Sequence, residues 1–514
     1  MGIDGFWPRI EAAEEIREYL QWTSEECFKN DAGEPRPMII GIDASIWMYQ
    51  ATKALHYGTA QRGPNPVLRI LYNKLVALLQ LPVQFRIVFD GPERFDFKRG
   101  TRVLTRGHPL TRPFQELAGY FGYPCHTAPG EADAELGRLA MEGIIDVVET
   151  TDSDVFLFGA EKVIYTPNKK RDGKTVRLYT AERILTTPGV GLTRGGILLV
   201  ALLAGGDYSS GGPGCGPVIS HAIARGGLGD QLLHHASQYP VCTPAFLAFL
   251  ANWKIALCEE FATDPHGLLG RKYKSISQII ADTPEFPDPR VIFAYVHPVT
   301  SFSLHHSAPP HHTWGAAAPD VKSIARFCQK MFAWDGATLA SKFSTALFPG
   351  VALQSLLKPY NLHALLEAHL ELGLSTDQDD FSRSSVIEVL KQKTNTHCGR
   401  SLLLYRVKIS AGALSLRAKA GLADASAFVI PAAMTPWIPA SIINYALPGL
   451  YSRSNRSTSS AKSKTSRQSQ QRKSVRKAPP VASGSSRTLE MLSDSTLSES
   501  TLSESDIIDL TWLD

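Results

Sequence analysis

Three apolar runs in this chain each lead into aspartate, and that repetition limits its fold more than any other feature. Met38–Ile42 ends at Asp43, Phe85–Phe89 ends at Asp90, and Ile144–Val148 leads into Thr151-Asp152-Ser153-Asp154. Short apolar runs bounded by turn residues predict buried strands of a parallel sheet. Before the third run, Pro129-Gly130 precedes Glu131 and Asp133, which open a helical pattern. Ala134, Leu136, Leu139, Ala140 and Met141 form its apolar side. In open α/β sheets, ligands sit beyond the carboxyl ends of the strands. Carboxylates gathered there raise one another's pKa. The usual remedy is a divalent cation, and oxygen ligands suit Mg²⁺ or Mn²⁺ better than Zn²⁺. Taken singly, each acid has a plainer role: Glu131 and Asp133 suit a helix's first turn, and Asp152 and Asp154 suit caps.

Between Asp90 and Phe114 lie Arg94, Lys98, Arg99, Arg102, Arg106 and Arg112. Lys98, Arg102 and Arg106 share one face if the segment is helical. Gly100 and Gly107 make that helix conditional on being held. Cations beside an acidic pocket suit a phosphodiester, which must be steered in and stabilised; a solvated loop is the plainer alternative. Further on, an apolar helix ends at Leu198–Ala204. Asp207 follows, then Gly211, Gly212, Gly214 and Gly216 before a second helix. Such a turn presents N–H groups to phosphate or carbonyls to a monovalent cation.

The 514 residues allow several domains, at roughly 150 residues each. A net charge of +4 gives no argument for nucleic acid; the distribution of charge does. The seven Cys form no CxxC pair, so neither a zinc site nor a disulfide framework is indicated. No apolar run reaches ~18 residues, so no membrane span is expected. Met1–Glu26 reads as helical, anchored by Trp7, Ile10, Ile16 and Leu20. Ala44–Leu55 and Val67–Leu81 read as helices, and Val163–Tyr165 with Arg177–Tyr179 as a hairpin around Arg171-Asp172-Gly173. The segment from Leu228 to Ser375 is mainly helical, with Lys272 and Lys274 as basic outliers and Trp334-Asp335 at a turn. His305, His306, His311 and His312 lack regular spacing, which favours a loop over zinc. Asp377–Leu447 reads as two strands and a terminal helix, a small separate module. Tyr451–Arg487 holds ten Lys/Arg and no acid. It is expected to be disordered and to bind DNA or an import receptor, hence a nuclear protein. The apolar run Ile507, Ile508, Leu510 suits strand addition to a partner's sheet.

In their order and spacing, MGIxGxW, GIDAS, FDG, PxEAxA, TxDxD and GxDY with GxGP resemble the nuclease superfamily of flap endonucleases and the XPG repair nuclease. The match covers roughly residues 1–350. The resemblance implies an α/β chain: a PIN-like parallel-sheet nuclease core with helix–two-turn–helix and helical extension, a chromodomain-like module and a disordered tail. The boundaries expected are 1–225, 226–375, 376–447 and 448–514. It implies two Mg²⁺ ions (Mn²⁺ as substitute), ~4 Å apart, on Asp43, Asp90, Glu131, Asp133, Asp152, Asp154 and Asp207. Asp133 stands where relatives usually carry Glu, one methylene longer. K⁺ is implied at Leu198–Ala224, with Gly212, Gly214, Gly216, Lys272 and Lys274 against DNA. Lys98 is similar to the family's arch lysine, with Arg102 or Arg106 as its partner. The short arch and Cys328–Phe343 resemble GEN-type Holliday junction resolvases. Asp377–Leu447, ending in WIPAS, resembles their chromodomain; Tyr405 without a following Trp favours DNA contact over methyl-lysine. Ile507, Ile508 and Leu510 resemble a SUMO-interacting motif.

The function implied is resolution of four-way junctions by paired nicks from a homodimer. A monomeric 5′-flap or bubble endonuclease and a non-catalytic branched-DNA scaffold are the alternatives, with a PIN-like ribonuclease behind them. The Trp47–Pro66 region is either a wedge at the branch point or, for Trp47, core packing.

Overall fold

The computed structural model of the chain describes residues 2–27, 37–56, 63–95, 97–98, 101–102, 107–166, 174–239, 241–310, 314, 317–357, 386–397, 399–447 and 449–450. Arg106, the Arg171–Gly173 turn, His311, His312, residues 376–385 and the tail with Ile507, Ile508 and Leu510 lie outside the described residues. Strands β1 (Glu15–Glu18), β2 (Ile39–Asp43) and β3 (Gln84–Phe89) precede a short ribbon, β4 (Phe97–Lys98) and β5 (Thr101–Arg102). Then come β6 (Cys125–Thr127), β7 (Val147–Thr150), β8 (Lys162–Tyr165) and β9 (Thr175–Thr180). Without the ribbon they form one sheet in the order β1-β9-β8-β7-β2-β3-β6. The neighbours from β6 to β8 run parallel, while β9 is antiparallel to β8 and to β1. The chain leaves β2 for β3 and β6, then returns to β7 on the other side of β2. That reversal makes β2 the switch point at which such sheets bind ligands.

Apolar residues cover both faces of the sheet, as buried parallel strands require. Ile40, Ile42, Ile87 and Val147 pack with Trp47, Leu71, Leu75 and Phe114 on one side. Val88, Val148 and Val163 pack with Leu136, Leu139 and Leu199 on the other. Trp47 is 1% exposed, its ring faces Phe114 at 6.3 Å, and the Lys74 ammonium lies 4.7 Å from its centre. It is a core residue, not a wedge.

The N-terminal segment is not one helix. Between helices Phe6–Ile10 and Tyr19–Glu26, Glu15–Glu18 forms an edge strand on β9. Ile16, expected as an anchor, is 50% exposed, while Arg17 turns inward to Glu25 at 2.6 Å. The open edge of β9 needs a backbone partner, and that demand overrides the helical pattern. The third run also starts later than expected, at Val147. Asp146 instead accepts the Ile39 N–H at 2.7 Å and sets the start of β2 beside it.

The C-terminal module contains β10 (Val386–His397), β11 (Arg400–Ser410), β12 (Ala433–Met434) and β13 (Trp437–Pro439), with helices Gly412–Lys419 and Ala440–Ala446. It does not stand apart. Phe428 meets Phe343 edge-on at 6.1 Å, and the Ala423 N–H donates to Gln329 at 2.9 Å. One apolar cluster runs from the sheet through helix Val321–Phe332 into this module.

Candidate metal centre

Loops beyond the strand ends bring the acids together. Asp43 closes β2 and caps helix Ala44–His56, accepting the N–H groups of Ser45 at 2.7 Å and Ile46 at 3.3 Å. The Ser45 hydroxyl donates to Asp90 Oδ2 at 2.7 Å, and Asp90 Oδ1 accepts the Ala132 N–H at 2.9 Å. The Gly91 N–H donates to Gly130 O at 2.7 Å. A Cβ on Gly91 would lie 1.8 Å from Ala128 O, so only glycine lets these two loops close. Glu131 and Asp133, at the start of helix Ala132–Met141, are thereby set beside Asp90.

Asp152 caps the turn Ser153–Phe156, accepting the Asp154 N–H at 3.0 Å. The first residues of the chain then tie this turn to Asp207. The Gly2 N–H donates to Asp207 Oδ1 at 3.2 Å, Ile3 N–H to Ser153 Oγ at 2.8 Å, and Asp4 N–H to Gly205 O at 3.0 Å. Gly2 has φ +82°, and a Cβ there would lie 2.3 Å from Asp152 Oδ1. Gly2→Ala is therefore expected to displace Asp152 and lower metal affinity at least tenfold, with little change in circular dichroism; calorimetric titration with Mn²⁺ checks it. Sequence reasoning passed over Gly2, Ser45, Gly91 and Tyr208 as site residues. Each had a signal in a quoted motif, Gly2 in MGIxGxW, Ser45 in GIDAS, Gly91 in FDG and Tyr208 in GxDY; the contacts they make are what no local pattern records.

The cup is buried and acidic. Asp43, Glu131, Asp133, Asp152, Asp154 and Asp207 are each at most 6% exposed. Burial pushes the Asp43 carboxyl up to about 8, with the Asp90 charge adding to it. Burial likewise raises Asp133 and Asp154 well above the usual range, reinforced by Glu131 and by Asp152 respectively. Glu131 and Asp152 are raised too, again by burial first. These influences link all seven acids into one electrostatic group: Asp43 with Asp90 and Asp152, Asp133 with Glu131, Asp152 and Asp43, and Asp154 with Asp152, Asp207 and Glu131.

Lys98 enters this group. Its ammonium lies 2.6 Å from Glu131 Oε2 and 3.2 Å from Asp207 Oδ2. Burial works against its charge, but Asp133, Glu131 and Asp207 outweigh that and raise its pKa. The Tyr208 hydroxyl donates to the same Glu131 oxygen at 3.0 Å. The helix that would set Lys98 and Arg102 on one face is not formed: both belong to the antiparallel pair β4–β5, with Lys98 opposite Thr101.

Among the described residues, no three His, Cys, Asp or Glu side chains are already drawn into one ion-binding set. The donor chemistry nevertheless fits a hard divalent cation. Every candidate donor is a carboxylate oxygen, and Glu131 Oε1 and Asp154 Oδ1 are buried without a hydrogen-bond partner. Such orphaned acceptors are costly, and a cation satisfies them. Glu131, Asp133, Asp152 and Asp154 would hold it, with Asp43, Asp90 and Asp207 around them.

The glycine turn joins helices Arg194–Ala204 and Pro217–Ala224. Gly212 N–H donates to Leu203 O at 2.9 Å, and Gly216 faces open space. A Cβ on Gly214 would come within 3.4 Å of Ile276 on helix Lys274–Ala281. Exposed Lys274 begins that helix and exposed Lys272 lies two residues before it, so the turn and both lysines share one neighbourhood.

The XPG N-terminal domain matches residues 1–106, and the XPG I-region matches residues 122–207. Flap endonuclease GEN-like 1 of Arabidopsis thaliana is 37% identical over 264 residues, 45% of this chain and 40% of that protein. Flap endonuclease 1 of Haloquadratum walsbyi is 32% identical over 246 residues, 39% of this chain and 74% of that protein. DNA repair protein RAD2 of Saccharomyces cerevisiae is 31% identical, but the match spans only 19% of its length. A crystal structure of the Holliday junction-resolving enzyme GEN1 superposes with TM-score 0.65 at 24% identity, covering 90% of this chain and all of that one. The fold and the acid cup define a parallel-sheet protein built around a strand-end carboxylate cluster. More narrowly, the chain belongs to the XPG and flap-endonuclease family.

Proposed function

We propose that this protein is a divalent-metal-dependent endonuclease that cuts branched DNA, resolving four-way junctions by paired nicks from two subunits. The observation that carries the reading is the acid cup: seven carboxylates in one electrostatic group, two of them presenting buried oxygens without a partner. When bound there, Mg²⁺ or Mn²⁺ would polarise the scissile phosphate and acidify a water. The chain's own residues do the rest. Lys98 places positive charge where the phosphate must sit. Exposed Gly214 and Gly216 with Lys272 and Lys274 offer N–H groups and cations to duplex phosphates, and the turn's carbonyls suit K⁺. The junction substrate is supported by the resemblance to GEN-like 1, and the GEN1 superposition over 90% of this chain supports the fold. The module's β-sheet is read as a chromodomain-like DNA contact, and relatives that act in DNA repair favour a nuclear location.

A second reading, a monomeric 5′-flap endonuclease, is favoured by the archaeal flap endonuclease, of which this chain covers 74%. Purified protein should cleave an immobile four-way junction faster than a matched 5′ flap, only with Mg²⁺, and with two subunits per junction by mass photometry. Preference for the flap with one subunit bound selects the second reading. No cleavage of either DNA defeats both.

A further inference from the structure

We infer that residues 298–306 form a brace that fixes the start of helix Ala132–Met141, where Glu131 and Asp133 would hold the cation. Glu135 is the positioning residue between brace and helix, a role that rests on the nuclease reading above. It follows Glu131 by one helical turn, so both side chains leave the same side of the helix. Glu135 is 0% exposed, yet it is not one of the seven acids of the cup. Both of its oxygens are engaged, and by different elements. The Ser301 N–H donates to Oε2 at 2.8 Å. His126, on β6, places Nε2 2.9 Å from Oε1 and 3.1 Å from the Ser301 hydroxyl. The Trp314 ring packs against His126 at 5.2 Å. One ring nitrogen thus serves both partners. A serine nucleophile needs its carboxylate on the other nitrogen of the imidazole, so these three side chains hold geometry and do not attack a substrate.

Residues 298–306 follow helix Pro289–Val296 and press on the two loops that carry Asp90 and Glu131. A Cβ on Gly130 would lie 2.5 Å from Val299 O, so the two backbones meet there. The Phe302 ring lies 5.4 Å from the Arg138 guanidinium, one turn beyond Glu135. His306 Nε2 lies 3.4 Å from Glu93 Oε2, and the Glu93 N–H donates to Pro129 O at 2.9 Å. The brace is also tied within itself. The Ser303 hydroxyl accepts the Thr300 N–H at 2.9 Å and donates to Pro298 O at 3.1 Å. A buried carboxylate is costly unless its oxygens are met, and a fully met network holds one arrangement. A roll of the helix that moved Glu131 and Asp133 away from Asp152 and Asp154 would therefore break the contacts of Glu135. Mg²⁺ tolerates little departure from octahedral geometry, so the hold on Glu135 governs how well the cup accepts it.

Calorimetric titration of the full chain with Mn²⁺, without DNA, reads the brace directly. Single-turnover cleavage of four-way junctions against Mg²⁺ concentration reads its consequence. Glu135→Leu should weaken Mn²⁺ binding and raise the Mg²⁺ midpoint by about 10–100-fold, the usual loss when an outer partner of a metal site is removed. Glu135→Gln keeps an acceptor for the Ser301 N–H, and its amide N–H meets His126 Nε2 in the other tautomer of the imidazole. It should stay close to wild type in both measurements. His126→Phe keeps a ring against Trp314, removes one of the two ties, and should weaken Mn²⁺ binding in the same direction as Glu135→Leu. A merely structural role would lower the active fraction and leave both metal midpoints in place. Wild-type Mn²⁺ binding by a folded Glu135→Leu would overturn the brace. So would a Glu135→Gln as impaired as Glu135→Leu, since charge and not position would then matter. If Glu135→Leu is unfolded by circular dichroism, His126→Phe and Glu135→Gln decide, and wild-type Mn²⁺ binding by His126→Phe would overturn the brace. A wild type that binds Mn²⁺ but cleaves no branched DNA removes the nuclease reading, and the Mn²⁺ titrations still decide the brace.

Discussion

Asp154→Asn lowers the rate of DNA cleavage in Mg²⁺ by about 10²–10³-fold, the loss seen when one preorganised charge-stabilising group is removed. The amide is nearly isosteric, so packing is retained at a side chain that is 1% exposed. What changes is the charge and donor character of Oδ1, a buried oxygen with no hydrogen-bond partner. An amide in its place cannot offer a cation a charged oxygen. The Asp154 side chain is buried, so junction binding measured by fluorescence anisotropy should stay within about threefold of wild type, because phosphate contacts elsewhere dominate affinity. Lys98→Met should cost rate differently. It removes the cation between Glu131 and Asp207 and should leave Mn²⁺ affinity unchanged or higher while slowing the chemical step. An Asp154→Asn protein that cleaves at the wild-type rate would remove the metal centre from the mechanism.

The parts of the site that the sequence made legible are those written locally. Apolar runs ending at Asp43 and Asp90 gave β2 and β3, and Pro129–Met141 gave the helix that carries Glu131 and Asp133. Buried parallel strands leave a dense apolar signature, and their exit residues are adjacent in sequence. Long-range satisfaction was not legible. Glu15–Glu18 has no strand signature of its own and is ordered by the free edge of β9. Lys98 and Arg102 share a face only if their segment is helical, and they lie instead in a two-residue ribbon. The tie from Gly2 to Asp207 spans 205 positions. The hold of His126 and Ser301 on Glu135 likewise depends on the meeting of distant segments. Sequence pattern reported which acids lie at strand ends; only the fold reports which backbone groups and hydroxyls hold them there.

In buffer with a chelator, thermal stability should fall as pH rises from about 4 to 7, and Mg²⁺ should restore more of it at pH 7 than at pH 5. The sign follows from where protons reside. The Asp43 carboxyl titrates near its ordinary 3.8 when unfolded and at about 8 when folded, because burial and Asp90 oppose its charge. Between those values the folded state holds a proton that the unfolded state has released, so folding is favoured at low pH and loses that advantage as pH rises. Asp133, Asp152, Asp154 and Glu131 are shifted the same way. Lys74, which burial lowers to about 7 despite Glu149, acts oppositely above that pH, so the fall is read below it. Asp43→Asn removes one such charge while keeping an acceptor for the Ser45 and Ile46 N–H groups. Each pKa unit relieved is worth about 1.4 kcal/mol. The variant should therefore melt about 3 °C or more above wild type at pH 7 in chelator, with a flatter pH profile and less gain from Mg²⁺. Differential scanning calorimetry across pH, with and without Mg²⁺, reads all three. A wild-type profile that is flat from pH 4 to 7, or equal stabilisation by Mg²⁺ at both ends, would mean that the carboxylates do not share one buried, mutually repelling cup.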